Sequence, residues 1–258
     1  MLGCTEEAKE PIIVRECKSY NLDKRVFTED DTIIYNVCFH QLLPEDLRYT
    51  RKQLENFLHE QSEALRKEKI GFNLFQVYEG FSYLELGVLD TTDKISIRKN
   101  STFNFEEYTF MDNPKCLNVY ITQDKSNDFL GSAGDFIPDI HCAVQHWVIN
   151  TSTLPHELMH SLGCLHTFEP DITDGYSDET GDLVCDTPSS DNFGKHVNRF
   201  CSYTHPLKSE EEVEVLLNNI MSNSPAHCRC TVTKGQGKKI KKTTQMNKAL
   251  YKTIHNIL

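Results

Sequence analysis

The sequence holds no apolar run approaching the ~20 residues that a helix needs to cross a bilayer, so no segment of it is expected to span a membrane. Positive charge is also scarce: 27 Lys and Arg stand against 38 Asp and Glu, a formal net charge of −11. Phosphate backbones are bound by clustered cations. The one basic cluster, Lys234 to Lys242 (KGQGKKIKK), is short and interrupted by glycine. It reads as a solvated loop, and no nucleic-acid partner is expected. Internal repeats and low-complexity tracts are missing too. What remains is an ordinary globular composition, 38% hydrophobic and 25% charged over 258 residues. That is enough for one large domain or two small lobes with a real core.

Cysteine, by contrast, is plentiful. Ten cysteines fit an exported chain with a few disulfides better than a reduced cytosolic one. Leu2-Gly3-Cys4, followed by the polar TEEAKE, is similar to the tail of a bacterial lipoprotein signal with Cys4 as the lipidated residue. Arbitrary starting residues are the equal alternative. The expectation is a secreted or cell-surface protein, possible membrane tether Cys4 included, acting as a monomer.

Residues 1–30 are polar and irregular and read as a tether or pro-segment remnant, ahead of a single domain over 31–258. Residues 32–39 alternate, with Ile33, Tyr35, Val37 and Phe39 on one face, the pattern of a half-buried strand. Arg51 to Lys67 places Leu54, Phe57, Leu58 and Leu65 at helical spacing and predicts one amphipathic helix. Further strands are expected at Ile70–Val77, Tyr83–Leu89, Lys115–Ile121 and Val144–Ile149. Beyond residue 168 Asp, Gly, Ser and Asn dominate, and only Glu210–Leu217 and Thr244–Ile257 look helical. The expected fold is therefore α+β, with an upper lobe over 31–163 and an irregular lower lobe over 164–258 that ends in a helix.

The segment from Thr153 to His166 (TLPHELMHSLGCLH) carries the most information. Thr153 is a plausible N-cap and Pro155 is tolerable in a first helical turn. Leu154, Leu158 and Leu162 recur every fourth residue and would bury one stripe. His156 and His160 share that spacing, so their rings leave another face about 6 Å apart along the axis. Two such imidazoles can occupy adjacent corners of a tetrahedral zinc site, with Glu157 beside them as a general base. A helix that continued would carry His166 away. Gly163 can adopt the left-handed conformation that ends a helix, and His166 can then return as third ligand. Three imidazoles leave one position of a zinc ion open for catalysis.

This HExxHxxGxxH pattern resembles that of the metzincin metallopeptidases. The flanking residues narrow the likeness to the pappalysin (cytophagalysin-like) family. They are His166-Thr167-Phe168, Gly181 to Pro188 (GDLVCDTP), Asn219-Ile220-Met221 with Cys228 seven residues on, Leu117-Asn118-Val119-Tyr120, and Val148-Ile149. The resemblance spans roughly residues 32–250. It implies a metzincin-like mixed, twisted sheet with backing and active-site helices, and zinc-dependent hydrolysis of peptides or proteins. Met221 would form a hydrophobic floor under one catalytic zinc, and Cys201 and Cys228 would be joined by a disulfide. The acidic stretch Asp171, Asp174, Asp178, Asp182 and Asp186 is similar to a region where relatives bind structural calcium; a solvated acidic loop is the alternative. Many relatives have Tyr two residues after the Met, where Asn223 stands here, so oxyanion assistance would fall to Asn223. Cys164, where relatives have Leu, reads as a small core residue. In some members a pro-segment cysteine blocks the metal; Cys17 could do so here, or form half of a disulfide. A zinc-binding homologue without turnover, acting as a binding protein, is the rival function, and Asn223 is its main support.

Overall fold

The computed structural model describes residues 26–78, 111–123, 130–133, 137–168, 176–177, 181–188, 193–204 and 208–256. The strand expected at Tyr83–Leu89 lies outside them, as do Cys4 and Cys17.

The architecture is α+β. Strand β1 (Ile33–Leu42) is followed by helices α1 (Arg51–Gln61) and α2 (Glu63–Lys67), then by strands β2 (Ile70–Tyr78), β3 (Leu117–Thr122), β4 (Gly131–Ala133) and β5 (His141–Gln145). These five strands form one sheet in the order β2-β1-β3-β5-β4, parallel except for β4. The half-buried β1 predicted from its alternation is buried on both faces after its second residue. Interior strands of parallel sheets are covered on both sides, and β1 lies between β2 and β3. The C-terminal segment also pairs with its start: His255 N–H donates to Ile34 O and Asn36 N–H to Thr253 O.

The single helix predicted over 51–67 breaks at Ser62. Its hydroxyl donates back to the carbonyl of Leu58, a bond that competes with regular helix. A capping box of Thr50 and Gln53 starts α1, and Leu54 and Leu58 face the core. The strand predicted at Val144–Ile149 is shorter and earlier, because residues 146–148 turn into a 3₁₀ helix.

Helix α3 (Thr153–Ser161) follows, then the β6 (Tyr176–Ser177) and β7 (Val184–Pro188) ribbon, α4 (Glu210–Asn218), α5 (Lys234–Met246) and α6 (Lys248–Lys252). The basic cluster expected to be a loop is the body of α5. Gly235 and Gly237 each cost a helix about 1 kcal/mol of propensity. Tertiary structure overrides that: Thr233 and Gln236 form a capping box, and Gln236, Gly237, Ile240, Lys241 and Thr244 are buried. The helix predicted over Thr244–Ile257 is interrupted at Asn247, whose side chain accepts from Ala249 N–H and Leu250 N–H to start α6.

Candidate metal centre

Every residue of α3 is buried. Leu154, Leu158 and Leu162 form the expected stripe and join Met159 in the core. The cap differs from expectation: Ser152 precedes the helix, Thr153 is its first residue, and Ser152 makes no capping bond. The Ser152 hydroxyl is diverted to the far side of the site, donating to Ala226 O at 2.7 Å.

At its other end α3 stops in a Schellman motif. Gly163 has φ of +96°, its N–H donates to His160 O, and Cys164 N–H donates to Met159 O. The turn has two consequences for the site. It brings Cys164 O back to 2.8 Å from His160 Nδ1, and it returns His166 to the helix. Cys164 is itself a core residue, its thiol pushed up to about 12 by burial.

The three histidines converge through Nε2. The separations are 3.2 Å between His156 and His160, 3.2 Å between His156 and His166, and 2.9 Å between His160 and His166. A carbonyl can only accept, so the Nδ1 atoms of His156 and His160 must carry the protons they share with Ile220 O (2.7 Å) and Cys164 O (2.8 Å). Their Nε2 atoms then present lone pairs to one another, a repulsive arrangement unless a cation lies between. Zinc–nitrogen bonds of 2.0–2.1 Å in a tetrahedron set nitrogens about 3.3 Å apart, so the residues fit zinc. Burial above all, then His160 and Arg229, holds His156 well below the ordinary histidine range. His166 is lowered to about 4 by burial and by Arg229. Both stay neutral, as ligands must.

Glu157 is buried beside them, its carboxyl pushed up to about 8 by desolvation against the opposing pull of Arg229. It packs on β4. A Cβ on Gly131 would lie 2.4 Å from Glu157 Oε1, so only glycine leaves the carboxylate its place.

The turn around Met221 lies against the histidines through its backbone. Ile220 O accepts from His156 Nδ1, and Met221 O accepts from Thr167 N–H, one residue past His166. Met221 is fully buried in the core that includes α3. Asn223 is committed elsewhere: its Oδ1 accepts from Gly194 N–H at 2.7 Å. Cys201 and Cys228 form the expected disulfide. Among the five aspartates, Asp171, Asp174 and Asp178 lie outside the described residues. Asp182 accepts from Val184 N–H and Thr187 Oγ1, and Asp186 from Thr233 Oγ1 and Gly235 N–H. The Asp182 carboxylate braces the entry to β7, and that of Asp186 ties β7 to the start of α5. Arg229 escaped the sequence reading. A single arginine between two cysteines has no periodicity to mark it, and its place beside His156 is set by the tertiary fold alone.

The sequence profile of the pregnancy-associated plasma protein-A peptidase family matches residues 100–245. The chain belongs to this family. It is therefore a pappalysin, a metalloendopeptidase of the metzincin kind, and catalytic zinc comes with that membership. No curated protein matches its sequence directly. Among solved structures, Tannerella forsythia mature mirolysin in complex with a cleaved peptide is 15% identical. It aligns over 87% of this chain and 99% of its own, with a TM-score of 0.58. Mirolysin in complex with compound 9 is 16% identical over 87% and 96%, also with a TM-score of 0.58. A promirolysin point mutant of the same organism matches at 0.56, 16% identical over 88% and 85%. At such identity the likeness shows that this pappalysin shares their fold.

Proposed function

We propose that this pappalysin hydrolyses peptide bonds with zinc held by His156, His160 and His166 and with Glu157 as general base. One observation carries the reading: three Nε2 atoms meet within 3.2 Å of each other, one residue away from a buried carboxylate. Zinc bound there lowers the pKa of its water toward ~7 and polarises the substrate carbonyl. Glu157 takes the proton from the attacking water and delivers it to the leaving amine. Its burial suits both acts, because a desolvated carboxylate holds a proton more tightly than one in water. Ile220 O and Cys164 O hold His156 and His160 in the tautomer that ligation needs.

An extended substrate is best received at β4. The strand expected at Val144–Ile149 is not an edge: β5 is flanked by β3 and β4, and β4 stands at the end of the sheet. Since Gly131 of β4 touches Glu157, a peptide added alongside β4 would bring its carbonyl to the proton carrier. The Cys201–Cys228 bridge supports work outside the cytoplasm, where such bridges persist.

Glu157→Ala is expected to lower kcat by about 10²–10⁴-fold on a peptide library while zinc remains bound; undiminished turnover would refute the assignment. The rival, a homologue that holds zinc without turnover, draws on Asn223, whose amide oxygen is occupied by Gly194. Casein hydrolysis with and without chelator separates the two.

A further inference from the structure

Arg229 is the one guanidinium that the described residues place against a metal-binding histidine. Its Nη1 lies 3.3 Å from His156 Nδ1 and 3.3 Å from Ser222 O, to which it donates. Its Nε donates to Ser152 Oγ at 3.1 Å, and that hydroxyl is fixed in turn by Ala226 O. The cation is thus held from both sides, by the start of α3 and by the turn after Met221. Its contact with His156 is no hydrogen bond. The His156 Nδ1 proton already goes to Ile220 O, so two donors face each other.

The usual partner of a ligating histidine's outer nitrogen is a carbonyl or carboxylate, which raises the basicity of the ring. Here Ile220 O does that, and Arg229 works against it. Guanidinium keeps its charge even when buried, and like charges repel more strongly in a dry interior than in water. A residue in this place draws electron density from the ring that donates to the metal.

We infer that Arg229 is an electrostatic positioning residue that acts through His156, loosening the site's hold on zinc and leaving the held zinc more electrophilic. The inference rests on the zinc site proposed above. It also gives the buried cation a role beyond bracing, since Ser152 and Ser222 could be joined by a neutral donor.

Zinc affinity, read by competition with a chromophoric chelator at neutral pH and fixed ionic strength, tests it alongside the melting temperature of the metal-free protein. Arg229→Met keeps the length without the charge, and Arg229→Lys keeps the charge. Arg229→Met is expected to bind zinc about tenfold more tightly than the wild type, and Arg229→Lys within about threefold of it. On a peptide substrate, kcat of Arg229→Met falls while KM holds. Arg229→Gln, which retains a donor for Ser152 and Ser222, gives the same comparison if Arg229→Met folds poorly. Zinc binding in both neutral variants that is equal to the wild type, or weaker, overturns the inference and leaves Arg229 a brace. A wild type that takes up no zinc sinks the site itself, and that outcome is visible before any variant is compared.

Discussion

Gly163 shows how much one residue can carry. Its positive φ ends α3, its turn sends Cys164 O to His160, and it returns His166 to the other two histidines. A side chain would be strained at that φ, and a Cβ would meet Thr243 Cγ2 at 2.7 Å. Gly163→Ala is therefore expected to cost about 1–3 kcal/mol of stability and to weaken zinc binding; chemical denaturation and chelator competition measure the two. An alanine variant that binds zinc as tightly as the wild type would show that another residue sets the turn. This role was legible in the sequence because glycine at fixed spacing before a third histidine has a conformational reason. Arg229 and Gly131 were not legible. Each matters through a neighbour far away in the chain, and neither lies in a pattern.

At the scale of elements, α5 is the clearest departure from expectation. Its lysines and glycines read as loop, yet its cations find partners: Lys238 pairs with Glu29, Lys241 Nζ donates to Glu29 O and Lys239 Nζ to Asp182 O. Its N-terminus is held by Asp186, which accepts from the N-cap Thr233 and from Gly235 N–H. A carboxylate there satisfies open N–H groups and complements the helix dipole. Asp186→Ala is expected to lower stability by about 1–2 kcal/mol with zinc affinity unchanged, and thermal melting with a zinc titration checks both. A loss of zinc binding would instead place Asp186 in the metal site. The strands were more readable than this helix, because apolar alternation and β-branched runs need no distant partner to be recognised. Their order, with β4 at the edge, could not be read from such local signals.

For the whole molecule, acid is the informative perturbation. His166 titrates near 4 in the fold against an ordinary value of 6.5, and His156 lies lower than its ordinary value too. Above about 6.5 these rings are neutral in both states and add no pH dependence. Below it the unfolded chain takes up protons that the folded site refuses, so the metal-free protein loses stability as the pH falls toward about 4. Glu157, raised to about 8, acts in the opposite sense over its own range. The difference between variants is therefore the readout. In melting temperatures of metal-free protein taken from neutral pH to about 5, His166→Gln is expected to fall less steeply than the wild type. Equal slopes would show that His166 is open to solvent protons.

The sequence alone determined which three histidines come together. Spacing of four on a helix sets two imidazoles together, and a glycine stop brings back the third, all within fourteen residues from Thr153 to His166. It also carried the family likeness that its profile bears out, because those signals are local in the chain. Only the tertiary structure decided what surrounds the centre: the carbonyls of Ile220 and Cys164 that set the tautomers, the β4 edge that touches Glu157, and the guanidinium of Arg229 behind His156. The reason is physical. A ligand set can be encoded by the repeat of one helix, whereas Arg229, Ile220 and Gly131 reach the site only when separate segments pack together.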